Sequence, residues 1–143
     1  MTEALKASMP LLVFVHGLFG DCRRTWGEMP RWVLNNAGVD LDVTSFDYPA
    51  QFWERSSIEQ ATYDLKTWLS TEFSGHRHLI FVTHSVGGLI VKHLLREEFC
   101  GIQRAIDAGV FDYSSSGPGT LWLRTRHVVN VAAPHQGGAP LLT

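Results

Sequence analysis

Residues 79–91, Leu-Ile-Phe-Val-Thr-His-Ser-Val-Gly-Gly-Leu-Ile-Val, constrain the fold of this chain more than any other stretch. An apolar run of β type ends at Val82, a polar turn Thr83-His84-Ser85 follows, and a helical apolar pattern starts after Gly87 and Gly88. A strand, a tight turn with Ser at its apex and a Gly two residues later are the parts of a nucleophile elbow. In such a turn the Ser backbone is strained, so that its hydroxyl projects from the sheet. The following helix passes so close that only small residues fit two positions before and two after the Ser. Gly87 meets the second requirement. Thr83 meets the first only in part, because the usual pattern, G-x-S-x-G, has Gly where this chain reads T-H-S-V-G.

A second motif lies near the N-terminus. Pro10-Leu11-Leu12-Val13-Phe14-Val15 is a continuous apolar run whose length and branching suit a strand buried on both faces. His16-Gly17-Leu18-Phe19-Gly20-Asp21 follows it directly. Glycines at the carboxyl end of a parallel strand let backbone N–H groups turn toward a ligand, which acyl transfer needs where its oxyanion forms.

Between and beyond these motifs, strand and helix patterns alternate. A helix is expected to start near Pro30 and to stop at Asn35-Asn36-Ala37-Gly38; a capping box at Thr25 and Glu28 is the less favoured start. Residues 41–46 alternate as a second strand. Ser57 and Gln60 read as a capping box for a helix with Ile58, Ala61, Leu65, Trp68, Leu69 and Phe73 on one face. A strand over 78–83 leads into the elbow. The elbow helix carries Leu89, Ile90, Leu94, Leu95 and Phe99 on one side and Lys92, Arg96 and Glu97 toward solvent. The Ser/Gly-rich stretch 111–119 reads as a loop, and 127–132 as a fourth strand ending in Ala-Pro-His-Gln-Gly-Gly. Strands separated by helices form βαβ units, hence an α/β fold with a parallel sheet and helices on both faces. His16-Gly17-Leu18, Tyr48-Pro49, Ser85 and Pro134-His135 would then gather at the carboxyl rim of the sheet.

Composition narrows the function classes. With 143 residues and 18% charged side chains, the chain is one domain with a sizeable core. A net charge of −2 gives no footprint for nucleic acid or an anionic membrane. Cys22 and Cys100 form no disulfide framework and read as two reduced thiols of a cytoplasmic protein. C-x-x-C and H-E-x-x-H are absent, and His76 and His78 around Arg77 read as a solvated loop, so no metal is expected. Met1–Lys6 lacks the order of a signal peptide, and no apolar run reaches the ~20 residues of a membrane span.

With these motifs in hand, the chain resembles an α/β-hydrolase of the lipase/esterase kind. The branch it resembles contains the GPI inositol-deacylases and the mitochondrial serine-active-site lipid-remodelling proteins. The resemblance rests on V-H-G-L-F-G-D and T-W within 15–26, F-V-T-H-S-V-G-G-L-I-V-K at 81–92, and V-N-V-A-A-P-H-Q-G-G at 129–138. It implies that Ser85 is the nucleophile, that Leu18 and Val86 donate the oxyanion-hole N–H groups, and that no cofactor is needed. It also implies further strands after the fourth, with the triad acid and His in loops beyond them. The 143 residues are therefore expected to be an N-terminal portion of the hydrolase sheet, inactive alone, with further domains of a longer chain as partners.

Within the chain, the remaining candidates carry plainer readings. His84 reads as a packing or turn residue, His16 as a loop-fixing residue and His135 as a structural hydrogen-bonding residue, with a substitute catalytic base as the alternative for His135. Asp21, Asp47, Asp107 and Asp112 are the available acids, and none stands out. Phe19 and Trp53, with Phe52, are the candidate acyl-pocket residues, the alternative being rim cover. The expected chemistry is hydrolysis of a carboxylic ester, in the first place of a lipid. Acyl transfer and a non-catalytic interaction module on the same scaffold are the alternatives.

Overall fold

The computed structural model describes residues 2–50, 55–112 and 120–133. In chain order these form α1 (Glu3–Ser8), β1 (Leu11–Val15), α2 (Cys22–Trp26), α3 (Met29–Asn36), β2 (Asp42–Phe46), α4 (Arg55–Glu72), β3 (Leu79–His84), α5 (Gly87–Asp107), α6 (Thr120–Arg124) and β4 (Thr125–Val131). The strands pair in the order β2-β1-β3-β4, and every pairing is parallel. Val15 stands in register with Phe46 on one side and Thr83 on the other, and Thr83 with Asn130. The loops after the strands therefore leave one common rim. β1 connects outward to β2 while β3 connects outward to β4, so the order reverses between β1 and β3. That is the position at which open α/β sheets bind ligands.

Strand alternation distributes the faces. Leu11, Val13 and Val15 of β1 and Leu79 and Phe81 of β3 join Ala61, Leu65 and Leu69 of α4 and Ile90, Val91 and Leu94 of α5 in one buried cluster. Each of these larger side chains contributes about 1.5–3 kcal/mol through removal from water. The opposite face is covered by α2: Trp26 stands edge-on to Phe14 at 5.0 Å and to His84 at 6.3 Å between ring centroids. Helices thus lie on both faces, as the βαβ pattern requires.

Several local expectations hold. α3 carries Pro30 in its first turn, and Gly38 follows its end with φ +69°, the left-handed conformation a glycine stop supplies. The six apolar positions read on α4 are buried or packed against the core.

Other expectations are corrected. α4 already begins at Arg55, so Ser57 lies inside it, and Gln60 donates from Nε2 to Asp64 Oδ1 at 2.9 Å instead of closing a capping box. Thr25, weighed as an N-cap, lies inside α2, a helix the pattern did not reveal; Asp21 caps it by accepting the Arg24 N–H at 2.8 Å. On α5 the buried stripe runs through Glu98, only 3% exposed, while Phe99 is exposed and rests on Trp122 of α6 at 5.1 Å. Glu98 falls one helical turn after Leu94, on the same stripe, and Lys66 Nζ compensates it at 2.8 Å. His76 is not solvated. It is buried, with Nε2 2.8 Å from Asp42 Oδ2, and Arg124 donates to its carbonyl and to that of Phe73. Desolvation lowers the pKa of that guanidinium. No described helix is long and apolar enough to cross a membrane.

Candidate active site

Ser85 sits one residue beyond β3 with φ +51°, a left-handed conformation that costs a non-glycine residue about 1–2 kcal/mol. Two hydrogen bonds hold it there. Its N–H donates to Val131 O at 2.9 Å, and its carbonyl accepts from Gly88 N–H at 3.0 Å. The first ties the turn to β4 and the second opens α5, whose N-cap is Val86. The Val86 carbonyl accepts from Leu89 and Ile90, so the helix starts with a tight turn. A helix of 21 residues then directs the positive end of its dipole toward Ser85.

The glycines explain why α5 can start here. A Cβ on Gly87 would lie 2.5 Å from the carbonyl oxygens of both Val15 and His16. The close approach is thus to the end of β1 rather than to β3 itself. Thr83, the small residue before the turn, is fully buried and donates from Oγ1 to Asn130 Oδ1 at 2.7 Å. It faces Gly88, where a Cβ would meet Ala133 Cβ at 2.6 Å, Asn130 Oδ1 at 2.9 Å and Thr83 Oγ1 at 3.1 Å. The Thr in place of the usual Gly is therefore accommodated by a glycine on the helix and an amide on β4, a partnership with no local signal in the sequence.

The loop after β1 reaches the same place. A Cβ on Gly17 would lie 2.8 Å from Ser85 Cβ and 3.0 Å from His84 O. The two motifs, 68 positions apart in the chain, approach so closely at Gly17 that a side chain there would collide with Ser85. Gly17–Gly20 closes as a turn, with Gly20 N–H donating to Gly17 O at 3.2 Å. Leu18 turns its side chain against the core. Phe19 adopts φ +58°, donates its N–H to Ala50 O at 2.8 Å and is 64% exposed. Phe19 therefore stands at the rim near Leu18. Trp53, Phe52, Pro134 and His135 lie outside the described residues.

His16 fixes this loop. It is fully buried, stacked on Tyr48 at 4.2 Å, and its Nδ1 lies 2.9 Å from Gly17 O. Its Nε2 lies 3.0 Å from Asp47 Oδ1 and accepts the Tyr48 N–H at 3.3 Å, while Tyr48 OH donates to His16 O at 2.8 Å. Asp47 Oδ1 also accepts the Cys22 N–H. Cys22 Sγ donates to Phe46 O at 3.1 Å. Burial, and then the negative charge of Asp47, push this thiol from 9.0 up to about 12. Burial likewise raises the Tyr48 hydroxyl above its ordinary value, with the neighbouring Cys22 adding to it. Sequence reading assigned His16 to the loop and gathered it with Tyr48 at the rim, but missed Asp47 and Cys22 as its partners; one follows a different strand and the other begins a five-residue helix, and only the sheet order brings them together.

Of the other described histidines, His76 pairs with Asp42, His78 accepts from Arg126 and His93 lies 3.9 Å from Glu97, whereas His84 adjoins the site: it stands edge-on to Trp26, and a Cβ on Gly17 would lie 3.0 Å from its buried Nδ1. Of the candidate acids, Asp21 caps α2, Asp47 pairs with His16, and Asp107 accepts from Gln103 at the end of α5.

The structure thus defines a parallel α/β protein with a strained serine turn and a glycine loop meeting at the switch point of its sheet. No family model matches the chain. Among known proteins it is similar to Protein SERAC1 of Mus musculus, 28% identical over 125 residues, covering 67% of this chain and 19% of that protein. It is similar also to Protein SERAC1 of Homo sapiens, 24% identical over 167 aligned positions, covering 95% of this chain and 23% of that protein. Protein SERAC1 of Bos taurus matches at 24% over 166 positions, covering 92% and 23%. The chain spans about a fifth of the length of these curated relatives.

Proposed function

We propose that this chain carries the nucleophile and oxyanion hole of a serine hydrolase acting on carboxylic esters of lipids. The observation that carries this reading is the close approach of Gly17 to Ser85, which leaves no room for a side chain at Gly17, with Ser85 itself at φ +51°. A strained serine and a glycine loop brought this close serve no packing need that ordinary turn residues would not meet. They do meet the needs of acyl transfer. Ser85 Oγ attacks the ester carbonyl, and its proton passes to a His supplied by another segment of the protein. The N–H groups of Leu18 and Val86 receive the oxyanion, aided by the N-terminal dipole of α5. The alcohol leaves, an acyl-enzyme forms on Ser85, and water releases the acid. Phe19, exposed at the rim beside Leu18, faces the acyl side of the site; Trp53, the second acyl-pocket candidate of the sequence, lies outside the described residues. Replacement of the water by a second alcohol would give acyl transfer on the same residues.

The lipid assignment rests on the resemblance of the three motifs and on the similarity to Protein SERAC1. It is tested with a p-nitrophenyl ester series on the full-length protein. Medium and long acyl chains are expected to be cleaved faster than acetate, and Ser85→Ala to remove the turnover. A preference for acetate would contradict the lipid reading, and undiminished turnover in the Ala variant would contradict the nucleophile. One other reading is an interaction module that keeps the scaffold without the chemistry, since among the described residues His16, His76 and His78 are paired with other groups; absence of turnover across the whole series would support it.

A further inference from the structure

Beside the glycine loop, three metal-binding side chain types converge from three separate segments. His16 follows β1, Cys22 opens α2 and Asp47 follows β2. One nitrogen, one sulfur and one oxygen donor lie within 4.8 Å of one another. The donors surround a polarity conflict. His16 Nδ1 lies 2.9 Å from the Gly17 carbonyl oxygen, which can only accept, so this nitrogen carries a proton. In the neutral ring, Nε2 then presents a lone pair, yet Asp47 Oδ1 lies 3.0 Å from it. Two acceptors at that distance repel; the Tyr48 N–H at Nε2 and the Cys22 N–H at Oδ1 offset this in part, and a cation held by both atoms would offset it fully.

We propose that His16 Nε2, Cys22 Sγ and Asp47 Oδ1 form a divalent-metal site of the kind that takes Zn2+, clamping the glycine loop to the end of β2. The donor chemistry selects the ion. A mixed N/S/O set suits borderline-soft zinc and is foreign to Mg2+ and Ca2+, which take oxygen ligands. Zinc bonds of about 2.0–2.3 Å place tetrahedral donors roughly 3.3–3.7 Å apart. His16 and Asp47 are already closer than that, and the sulfur closes the remainder by about an ångström. Asp47 is 64% exposed, which leaves the ion a route in and the carboxylate freedom to adjust.

The surroundings have the form that supports such a site. A histidine that binds a metal through one nitrogen characteristically donates its other N–H to a carbonyl, which fixes the ring, and His16 does this toward Gly17. Tyr48 stacks on the ring and bonds the His16 carbonyl. The Cys22 N–H holds the carboxylate at 3.1 Å. Binding would displace two contacts, the 3.3 Å bond from Tyr48 N–H to Nε2 and the 3.1 Å bond from Cys22 Sγ to Phe46 O. The thiol proton goes to solvent, leaving a thiolate on the metal. No C-x-x-C or H-E-x-x-H pattern marks the site, because its donors lie 6 and 25 positions apart in the chain. The proposal does not depend on Ser85 being a nucleophile.

The test is titration of the untagged, chelator-stripped protein with Zn2+ by calorimetry and with Co2+ by absorption. One equivalent is expected to bind, with a thiolate-to-cobalt charge-transfer band in the near ultraviolet. Cys22→Ser should remove that band, and Asp47→Asn should weaken Zn2+ binding about tenfold or more. Circular dichroism of both variants checks that they fold, and both sites are at least partly solvent-accessible. An absence of binding, or equal binding by the Cys22→Ser/Asp47→Asn double variant, would overturn the proposal and leave a proton, as an imidazolium–carboxylate pair, in the metal's place.

Discussion

At Gly87 the absence of a side chain decides whether the site can form. A methyl group there would sit 2.5 Å from two backbone carbonyl oxygens, and neither can move without breaking the end of β1. Gly87→Ala is expected to destabilise the protein by about 2 kcal/mol or more, measured as a lowered denaturant midpoint. An unchanged midpoint would mean that α5 does not approach β1 as described. Gly87 was legible in the sequence because the elbow needs a small residue at that spacing, whatever the rest of the chain does. His76 was not legible. Its partner Asp42 lies 34 positions away, and a histidine between a glycine and an arginine gives no local sign that a carboxylate will meet it. The same limit hid Asn130 from Thr83 and Cys22 from His16: each pair spans separate elements, and only the sheet order joins them.

Elements long enough to show a period were readable, and short ones were not. α4 runs 18 residues, and its apolar spacing located the buried face. α2 and α6 have five residues each, too few to display a helical repeat. α6 matters nonetheless, since Trp122 draws Phe99 outward and Arg124 ties down the end of α4. α5 shows how one residue can mislead a pattern. Hydrophobicity favoured Phe99 for the core, but helix geometry places Glu98 there, and Lys66 from α4 makes it tolerable at 2.8 Å. Lys66→Ala should therefore cost about 1–3 kcal/mol, more than loss of an exposed charge, because it leaves a buried carboxylate unpartnered. Adding Glu98→Gln to that variant should recover part of the loss. Thermal melts of the single and double variants make the comparison, and a Lys66→Ala variant as stable as the parent would show that the pair carries no weight.

On the scale of the molecule, the sheet has two unequal sides. β1 and β3 are interior and carry both motifs, whereas β4 lies at the edge with Val129 49% and Val131 46% exposed. Among the described residues no strand pairs with the outer side of β4, and an apolar strand edge of this kind invites pairing with another chain. The 143-residue chain is expected to self-associate as its concentration rises, and Val129→Lys/Val131→Lys to suppress this, with light scattering after size exclusion as the measurement. A parent chain that stays monomeric would show the edge to be harmless. The fold class was legible as a whole because alternating strand and helix patterns admit few parallel topologies. The meeting of the two loops followed from that topology once β1 and β3 proved to be neighbours.

The central claim is that this meeting point is an acyl-transfer site with Ser85 as its nucleophile. The most direct measurement is the intact mass of the full-length protein after a fluorophosphonate probe, with the modified residue located by peptide sequencing. The account predicts a single adduct on Ser85, lost in Ser85→Ala while the circular dichroism is unchanged. An adduct elsewhere, or equal labelling of the Ala variant, would contradict it.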